Sequence, residues 1–476
     1  MERVVNINRW QREHVKTQVD IRHLFSELKN RYAADPFPDY EARCQRLKQL
    51  QHALLDSQNI LVKAMSEDYG QRSEFDSLIA DVLPSLNHIK YSLKHLARWM
   101  KPSRRKAGLL LAPSSVRVEY QPVGVVGIMV PWNFPIYLSL APLVTALAAG
   151  NRVMLKLSEY TPHTNQVLRE MLADFDEHIY VIEGDAQIAA HFSQLPFDHL
   201  LFTGSTSVGR LVAKAAAQNL TPTTLELGGK SPVIIAHDAD INRAIDAIML
   251  GKTLNAGQVC VAPDYVFVPH GQEMTFVHRF RTRYRRYLAS RVARQTQIIN
   301  EQQWGRLQAY LHDAKQKGAD VHAMGDKLSD ERFMAPHLVT EVNSNMLLMQ
   351  NEIFGPILPV IGYHQVSEAI SAINSRPRPL ALYLFSEDPI FQRQIIEQTH
   401  SGGIAINDTV MHVAAEDAPF GGIGESGMGH YHGVEGFRRL SHAKTVLTTP
   451  KWLPRSMIML RFQSWVTKLI RWLFVR

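Results

Sequence analysis

The first hundred residues carry apolar side chains at helical spacing. Between Phe25 and Met100, apolar residues recur three and four positions apart, as in Leu47, Leu50, Leu54 and Leu55 and then in Leu78, Val82, Leu86 and Ile89. This period is typical of amphipathic helices that bury one face. The sequence therefore predicts a helical lead-in that packs on the first sheet of the protein.

Beyond Pro122 the pattern changes to short apolar runs that alternate with helical segments. Strands and helices are predicted in turn at residues 123–130, 136–149, 153–157, 162–173, 179–182, 186–192, 199–203 and 208–219. A second alternating stretch begins near Pro232 and ends near Phe420, with strands at 233–236 and 265–269 and a helix at 241–250. Such alternation is typical of parallel sheets with helices on both faces. We expect an α/β protein with two doubly wound parallel-sheet domains, because 476 residues exceed what one hydrophobic core supports.

Two segments belong to neither alternating stretch. Residues 104–121 and 441–450 have the composition of strands, and positions 115–120 alternate between polar and apolar side chains. Alternation with a period of two is typical of a strand with one buried face. We therefore predict that both segments are strands outside the two main sheets.

The final segment, residues 451–476, has a helical pattern of its own. Its apolar positions, three and four apart, are Phe462, Trp465, Val466, Leu469, Ile470 and Leu473, and its polar face holds Arg461, Gln463, Ser464, Lys468 and Arg471. The segment has six basic residues, no acidic residue, and the tryptophans Trp452, Trp465 and Trp472. This composition predicts an amphipathic helix that lies on an anionic membrane surface. A membrane span is not expected, because the charges leave no run of about 20 apolar residues.

Composition places the chain among ordinary globular proteins. Hydrophobic residues make up 45% of the chain and charged residues 20%, which argues against long disordered stretches. With only Cys44 and Cys260, no disulfide framework is expected, and the chain suits a reducing compartment. The formal net charge is +7, but the final segment supplies six of these charges. The nearly neutral remainder excludes a basic groove for nucleic acid.

Two residues carry candidate chemistry. Cys260 ends the run Asn-Ala-Gly-Gln-Val-Cys, and Glu226 lies upstream in Glu-Leu-Gly-Gly-Lys. A thiol that attacks a carbonyl carbon and a carboxylate that activates water together convert an aldehyde into an acid through a thioester. Asn133, in the run Pro131–Pro135, can donate a side-chain N–H to the oxyanion beside the backbone N–H of Cys260. The alternatives are a buried structural cysteine, a surface glutamate and a turn asparagine.

Further motifs decide between these alternatives. Five further motifs occur in this order along the chain: Pro131–Pro135, Lys156 with Glu159, residues 202–209, residues 352–356 (Glu-Ile-Phe-Gly-Pro) and residues 419–422 (Pro-Phe-Gly-Gly). With these motifs in order, the chain resembles the NAD(P)-dependent aldehyde dehydrogenase superfamily from about Phe25 to about Pro450. The runs 261–265 and 427–433 resemble the branch that contains the fatty aldehyde, class 3 and coniferyl aldehyde dehydrogenases.

The resemblance implies a cofactor site at known positions of this sequence. The loop after the predicted strand 199–203 opens a helix whose N-terminus faces a pyrophosphate, and its residues are Gly204, Ser205, Thr206, Ser207, Val208 and Gly209. By resemblance, Lys156 and Glu159 bind the adenosine ribose. Glu352 then holds the nicotinamide ribose, with Phe354 and Trp132 beside it. The usual family proline after the lysine is Leu157 here. Because an acidic residue repels a 2′-phosphate, Glu159 predicts NAD, with NADP as the alternative.

The resemblance also implies the domain organisation and the partners. Residues 1–103 and 122–227 are expected to form the NAD-binding domain, and residues 228–440 the catalytic domain. Residues 104–121 and 441–450 are expected to form an arm that adds to a neighbouring subunit's sheet, so a homodimer is predicted. Tyr431 and His432 resemble substrate-tunnel residues of the class 3 branch. The alternative for residues 451–476 is a helix packed over the partner's substrate tunnel.

The predicted function is the oxidation of hydrophobic aldehydes to acids with NAD(P), and the candidate substrates are aromatic, coniferyl-type or longer aliphatic aldehydes. The alternative from another class is an inactive membrane-docking or scaffold protein with the same fold. No metal site is predicted, because no histidine pair has helical ligand spacing with these motifs. Met1 to Trp10 contain charges and no apolar stretch, so we expect no secretory signal and a cytoplasmic protein, at the membrane face where the final segment docks.

Overall fold

The computed structural model describes residues 18–287, 295–325 and 332–475. Residues 1–17, on which the expectation about a secretory signal rests, and Arg476 lie outside the described residues. Its strands are β1 (Ser103–Arg105), β2 (Ser115–Pro122), β3 (Val125–Met129), β4 (Arg152–Lys156), β5 (Ile179–Ile182), β6 (His199–Gly204), β7 (Thr223–Leu227), β8 (Pro232–Ile235), β9 (Tyr265–Pro269), β10 (Asp320–Ala323), β11 (His337–Thr340), β12 (Ile357–Tyr363), β13 (Ala381–Phe385), β14 (Gly403–Ile406), β15 (Gly427–Met428) and β16 (Ser441–Thr448).

Helices separate most of these strands. They are α1 (Gln18–Ala34), α2 (Tyr40–Tyr69), α3 (Glu74–Ser77), α4 (Leu83–Trp99), α5 (Tyr137–Ala148), α6 (Pro162–Met171), α7 (Ala186–Ser193), α8 (Thr206–Ala217), α9 (Ile241–Thr253), α10 (Glu273–Tyr287), α11 (Glu301–Gln316), α12 (Leu347–Gln350), α13 (Val366–Asn374), α14 (Pro389–Gln398), α15 (Gly433–Arg439), α16 (Arg455–Arg461) and α17 (Gln463–Phe474). Short 3-10 or π turns complete the set, among them Leu254–Gly257.

The larger of two compact units, described over residues 18–99 and 122–441, contains two sheets. The first has six strands in the order β15-β7-β6-β3-β4-β5, and all but β15 are parallel. The second has seven strands in the order β10-β11-β12-β9-β8-β13-β14, and only β10 is antiparallel. Helices connect the parallel strands, so the loops at the carboxyl ends of the strands lie together, where ligands bind in such sheets.

The core explains why the apolar runs are so long. Every residue of α5 is buried, because this helix lies against the six-stranded sheet beneath α2 and α4. On the other face of the sheet, α1 and α8 contribute to a core that includes Leu28, Met154, Phe197 and Leu225. A helix that is apolar all round is a buried helix. The predicted helix at residues 136–149, which contains no charged residue, is therefore part of the hydrophobic core.

The smaller unit holds residues 100–121 and 442–476. Its sheet has the order β1-β2-β16, with β1 and β2 antiparallel. Arg455 in α16 donates hydrogen bonds to the Leu111 carbonyl (2.7 Å) and to the Ser114 hydroxyl (2.8 Å). Helix α17 has no buried residue. Among the described residues, every helix is too short or too polar to cross a bilayer.

The α/β fold class predicted from the sequence is confirmed, and most element bounds agree to within three residues. Two expectations were wrong in detail. Residues 106–114 are not strand: Gly108 takes a positive φ of 72°, a short 3-10 turn follows at Leu109–Leu111, and Pro113 has no N–H to donate to a ladder. The final helix is broken, because Phe462 leaves the helical region (φ −119°, ψ 39°) between α16 and α17.

Candidate active site

Cys260 follows a tight turn at the end of α9. In that turn Asn255, Ala256 and Gly257 have positive φ angles of 49°, 54° and 70°. A side chain at Gly257 would lie 2.6 Å from the Gly355 carbonyl oxygen, so only glycine allows this approach. Consecutive positive φ angles are costly and persist where surrounding contacts enforce them, as they do at functional sites.

The Cys260 thiol is free and half-buried. Burial, with a contribution from the carboxylates of Glu352 and Glu226, raises the pKa of this thiol to about 12, while the backbone N–H groups of Cys260 and Val261 oppose the shift. Both carboxylates are thus within electrostatic reach of the sulfur. The thiol is protonated in this state, so thiolate formation depends on what binds beside it.

Glu226 lies inside the six-stranded sheet. It is a β7 residue opposite Thr203 of β6 and Gly427 of β15, and 3% of it is exposed. Neither carboxylate oxygen has a hydrogen-bond partner among the described residues, and burial raises the pKa of this carboxyl well above its usual range. The strand fixes the backbone, so the movement available to Glu226 is that of its side chain.

Asn133 is held from both sides at the end of β3. Its side-chain amide donates to the Gln258 carbonyl (3.1 Å). Its own backbone carbonyl accepts from Arg72 (2.9 Å), Asn255 (3.0 Å) and the Tyr69 hydroxyl (3.1 Å). An amide nitrogen carries two N–H groups. One N–H is therefore used to fix Asn133 against the cysteine loop, and the second remains for a ligand.

Lys156 and Glu159 follow β4. The buried Lys156 ammonium donates to the carbonyls of Leu157 (2.8 Å) and Gly184 (2.6 Å) and lies 3.6 Å from the Glu159 carboxylate. Burial lowers the pKa of Lys156, and Glu159 opposes that shift. Glu159 is exposed and therefore accessible to a ligand at this edge.

Helix α8 begins where a dinucleotide pyrophosphate is predicted. Ser205 is its N-cap and accepts from the Val208 N–H (3.4 Å), and Ser205 and Ser207 hydroxyls lie 3.1 Å apart. The predicted residues 204–209 therefore form a strand-to-helix turn with exposed donors at a helix N-terminus, which fits an anionic group. Gly209 packs against β7, where a side chain would meet Leu227 at 2.6 Å.

Glu352 and Phe354 are the residues predicted to lie at the nicotinamide ribose. The Glu352 carboxylate lies against Gly228 and accepts from the Gly229 N–H, and burial raises its pKa to about 7. Phe354 has a positive φ of 46°, and its ring meets the Trp132 ring edge-on at 5.4 Å. The predicted ribose-binding carboxylate Glu352 is thus within electrostatic reach of Cys260, whereas Lys156 and Glu159 lie at the carboxyl end of β4. The donors and carboxylates present fit a dinucleotide.

Tyr431 and His432 are completely buried beside the reacting groups. The His432 Nε2 lies 3.0 Å from the Tyr137 hydroxyl, and burial lowers the pKa of His432 well below its usual range. Burial raises the pKa of Tyr431, and the charges of Tyr137, Glu226 and Cys260 add to the shift. These aromatic side chains therefore border the space that Cys260 and Glu226 share.

Sequence reasoning missed three residues near this space. Tyr137 lies in an apolar run and carried no motif, His412 lies in the 3-10 turn Met411–Ala414, and Lys252 lies in the last turn of α9. Burial lowers the pKa of Lys252 to about 7, and Asp264 and Glu352 oppose that shift. A lysine on the buried face of a predicted helix was the available signal. Among the described residues, no group of three metal-ligating side chains exists.

Comparison with known proteins agrees with this geometry. The aldehyde dehydrogenase family model matches residues 15–446. A probable coniferyl aldehyde dehydrogenase from Pseudomonas aeruginosa is 47% identical over 457 residues, which is 95% of this chain and 96% of that protein. Mouse aldehyde dehydrogenase family 3 member A2 is 37% identical over 85% of this chain and 84% of its own length.

Solved structures agree as well. The substrate-bound state of Staphylococcus aureus AldH superposes with a TM-score of 0.89 at 35% identity, over 94% of this chain and 99% of that one. A Mycobacterium tuberculosis aldehyde dehydrogenase complexed with NAD+ gives a TM-score of 0.84 at 27% identity, over 92% of both chains. This chain therefore belongs to the aldehyde dehydrogenase family and is an enzyme that oxidises aldehydes with NAD(P).

Proposed function

We propose that Cys260 is the nucleophile, Asn133 an oxyanion donor and Glu226 the base of an enzyme that oxidises hydrophobic, chiefly aromatic, aldehydes to acids. One observation carries the proposal. The buried Glu226 carboxylate has no protein partner among the described residues and is within electrostatic reach of the Cys260 thiol. A carboxyl group left without a hydrogen-bond partner in a core costs free energy, and a role in the reaction accounts for its presence.

The residues act in sequence on the aldehyde. The Cys260 thiol loses its proton to solvent and its sulfur adds to the carbonyl carbon, and the oxyanion that forms accepts from the second Asn133 N–H and the Cys260 backbone N–H. When bound, NAD(P) supplies the hydride acceptor. The resulting Cys260 thioester is hydrolysed by a water that gives its proton to Glu226, and the acid leaves with the thiol regenerated.

The walls of the shared space support an aromatic substrate. The Phe420 and His432 rings stack at 5.4 Å, and the Tyr431 and His432 rings meet edge-on at 4.7 Å. On the other side, the Tyr383 hydroxyl donates to the carbonyl of Val261, the residue after Cys260. Flat aromatic walls favour a flat aromatic ligand. The coniferyl aldehyde dehydrogenases among the relatives are named for such a substrate.

A substrate panel tests this proposal. Purified enzyme is supplied with NAD or NADP and with coniferyl aldehyde, benzaldehyde or a long-chain aliphatic aldehyde, and NADH or NADPH formation is followed. We expect the highest kcat/KM with the aromatic aldehydes. A preference for the aliphatic aldehyde would contradict the assignment of the walls. Turnover of none of them would contradict the proposed substrate class.

NAD is the proposed cofactor, with NADP as the alternative. The exposed Glu159 carboxylate lies 3.6 Å from the Lys156 ammonium. Its negative charge offsets the positive charge that would attract a 2′-phosphate. A carboxylate at this place accepts ribose hydroxyls and repels a phosphate. A lower KM for NADP than for NAD would overturn this preference.

The smaller unit supports a homodimer. β16 is an edge strand of the β1-β2-β16 sheet, and most of its residues are exposed. An edge strand offers unpaired backbone groups to another strand. We expect a dimer in sedimentation equilibrium of the full chain. Replacing Lys444 with proline, which removes a backbone donor from β16, should weaken the dimer, whereas Lys444→Ala should leave it intact.

Membrane docking is proposed for the final segment. The exposed apolar side chains of α16 and α17 include Leu460, Trp465 and Trp472, and the described part of the segment has five basic residues and no acidic one. Apolar and cationic side chains together bind anionic bilayers. In sedimentation with anionic liposomes, the full chain should bind and a chain ending at Pro450 should not. The matched variant Lys468→Glu/Arg471→Glu should weaken binding without changing length. Equal binding by the full and shortened chains, or binding by neither, would remove the idea.

A further inference from the structure

The aromatic walls of the active site contain polar atoms that no protein group satisfies. The Tyr431 hydroxyl, the His432 Nδ1 and both ring nitrogens of His412 are buried and have no hydrogen-bond partner among the described residues. Burying such atoms without partners is unfavourable. A purely aliphatic or plain aromatic ligand would leave them unpaired.

His412 contacts two aromatic rings, and each of these rings lies next to one of the proposed catalytic residues. Its ring centroid is 5.8 Å from that of Tyr383, whose hydroxyl donates to the carbonyl next to Cys260. It is 6.2 Å from the Phe420 ring, and the residue after Phe420 is Gly421, where a side chain would meet a Glu226 oxygen at 3.2 Å. His412 is therefore separated from Cys260 by Tyr383 and from Glu226 by Phe420 and Gly421.

Phe420 separates two neutral imidazoles. The His432 ring stacks on one side of Phe420 at 5.4 Å, and His412 approaches from another side at 6.2 Å. Burial lowers the pKa of His412 to about 4, with Asp408 opposing the shift, so this imidazole is neutral at neutral pH. A neutral imidazole has one N–H donor and one acceptor nitrogen. It can therefore donate to, or accept from, a hydroxyl group.

The loop that carries His412 is anchored on both sides. Before it, the Thr409 hydroxyl donates to the Ala247 carbonyl (2.6 Å), and Val410 takes a left-handed φ of 53°. After it, Glu416 lies 2.5 Å from His88 Nδ1. Anchors of this kind hold the imidazole in a fixed position, which hydrogen-bond recognition requires.

We propose that His412 is a specificity-determining residue that hydrogen-bonds a hydroxyl on the ring of an aromatic aldehyde. The site then prefers a ring-hydroxylated aldehyde to the same aldehyde without the hydroxyl. This inference rests on the proposed function, because it needs the aldehyde carbon at Cys260 and the ring between the aromatic walls. The hydroxyl satisfies a nitrogen that would otherwise remain unpaired, and discrimination by such a site is strong.

The test compares matched substrates and variants. Coniferyl aldehyde and cinnamaldehyde share the propenal group, and only coniferyl aldehyde has a ring hydroxyl and a methoxy group. A third substrate, 4-hydroxycinnamaldehyde, has the hydroxyl alone. In His412→Phe we expect kcat/KM to fall about 10- to 100-fold for both hydroxylated aldehydes and less than about threefold for cinnamaldehyde. In His412→Gln, whose amide can also donate and accept, part of the loss should be recovered.

Phe420→Leu is the matched control, because it changes the same wall without removing a polar atom. It should change kcat/KM for the three aldehydes by similar factors. Equal losses for hydroxylated and plain substrates in His412→Phe would show that the residue has only a structural role, and no loss for any would also overturn the proposal.

Inhibition of the parent enzyme gives a measurement that does not depend on a variant's folding. The product analogues 4-hydroxycinnamic acid and cinnamic acid differ only in the ring hydroxyl. We expect the hydroxylated acid to inhibit at about tenfold lower concentration. Equal inhibition constants would overturn the inference. If the parent enzyme oxidises none of the aldehydes, the proposed function fails instead, and the two failures are thereby distinguished.

Discussion

The residues proposed for ribose binding and those proposed for catalysis differ in whether their polar side chains already have protein partners. At the end proposed to bind ribose, Lys156 already donates to two backbone carbonyls and lies 3.6 Å from Glu159. In the proposed reaction space, the side-chain polar atoms of Glu226 and His412 have no hydrogen-bond partner among the described residues. The Lys156 ammonium thus has protein partners before anything binds, whereas the polar atoms of Glu226 and His412 can obtain partners from a bound ligand. Substitutions should therefore cost little at the ribose end and much in the reaction space.

The largest effect is expected at Cys260. Cys260→Ala removes the nucleophile, so turnover should fall by at least about 10⁴-fold, while the affinity for cofactor stays nearly unchanged. Steady-state kinetics and equilibrium dialysis with NAD measure the two quantities. Residual turnover within tenfold of the parent would contradict the assignment, and Cys44→Ala, in a helix distant in sequence, is the control.

A smaller loss is expected at Glu226. Glu226→Gln keeps the shape but cannot accept a proton, so thioester hydrolysis should slow by about 10²- to 10³-fold. Mass spectrometry should then detect an acylated Cys260 peptide. Normal turnover without that peptide would exclude the base role.

The pH dependence sharpens the assignment of Glu226. Burial raises the pKa of the Glu226 carboxyl and so moves its ionisation to higher pH than that of an exposed glutamate. Only the ionised form accepts a proton from water. Hydrolysis of the acyl-enzyme should therefore accelerate with rising pH in the parent and lose this dependence in Glu226→Gln. Single-turnover hydrolysis rates at several pH values measure it.

Asn133 should come next. Asn133→Ala removes one oxyanion donor, so kcat should fall by about 10²-fold. It also removes the bond to the Gln258 carbonyl, and Asn133→Ser, which can restore a donor, separates the two contributions. Thermal unfolding of both variants checks the fold. An unchanged kcat in Asn133→Ala would end the oxyanion assignment.

The smallest effect is expected at the ribose end. Glu159→Gln should raise the KM for NAD by about tenfold or less and lower the KM for NADP, because it removes a carboxylate that repels a 2′-phosphate. Steady-state kinetics with both cofactors measure this. A loss as large as that of Glu226→Gln would break the contrast between the two ends.

The regular elements were predictable because their pattern is local. The bounds of β5 (Ile179–Ile182) and β9 (Tyr265–Pro269) follow from short apolar runs, and the structure agrees with them residue for residue. The wrong expectation at residues 106–114 has a local cause too, since Gly108 and Pro113 both oppose a strand. The break at Phe462 has no proline or glycine to mark it, so no local pattern could have indicated it.

The site was predictable only in part. Motifs gave Cys260, Glu226 and Asn133, whose roles stay predictions, as do the domain boundaries. Tyr137 and His412 reach the site through contacts with residues distant in sequence, His432 for the first and Tyr383 for the second. Such contacts depend on how the two sheets bring their loops together. Residue spacing contains no information about them.

The exposed tryptophans of the final segment give the enzyme a built-in optical reporter. Trp452, Trp465 and Trp472 are 72%, 60% and 67% exposed, and they are three of the chain's seven tryptophans, whereas Trp99 is buried. Indole emission shifts to shorter wavelength when its surroundings become less polar. Any binding event that covers this segment should therefore shift the emission wavelength of the protein's intrinsic tryptophan fluorescence, and no added label is needed to detect it.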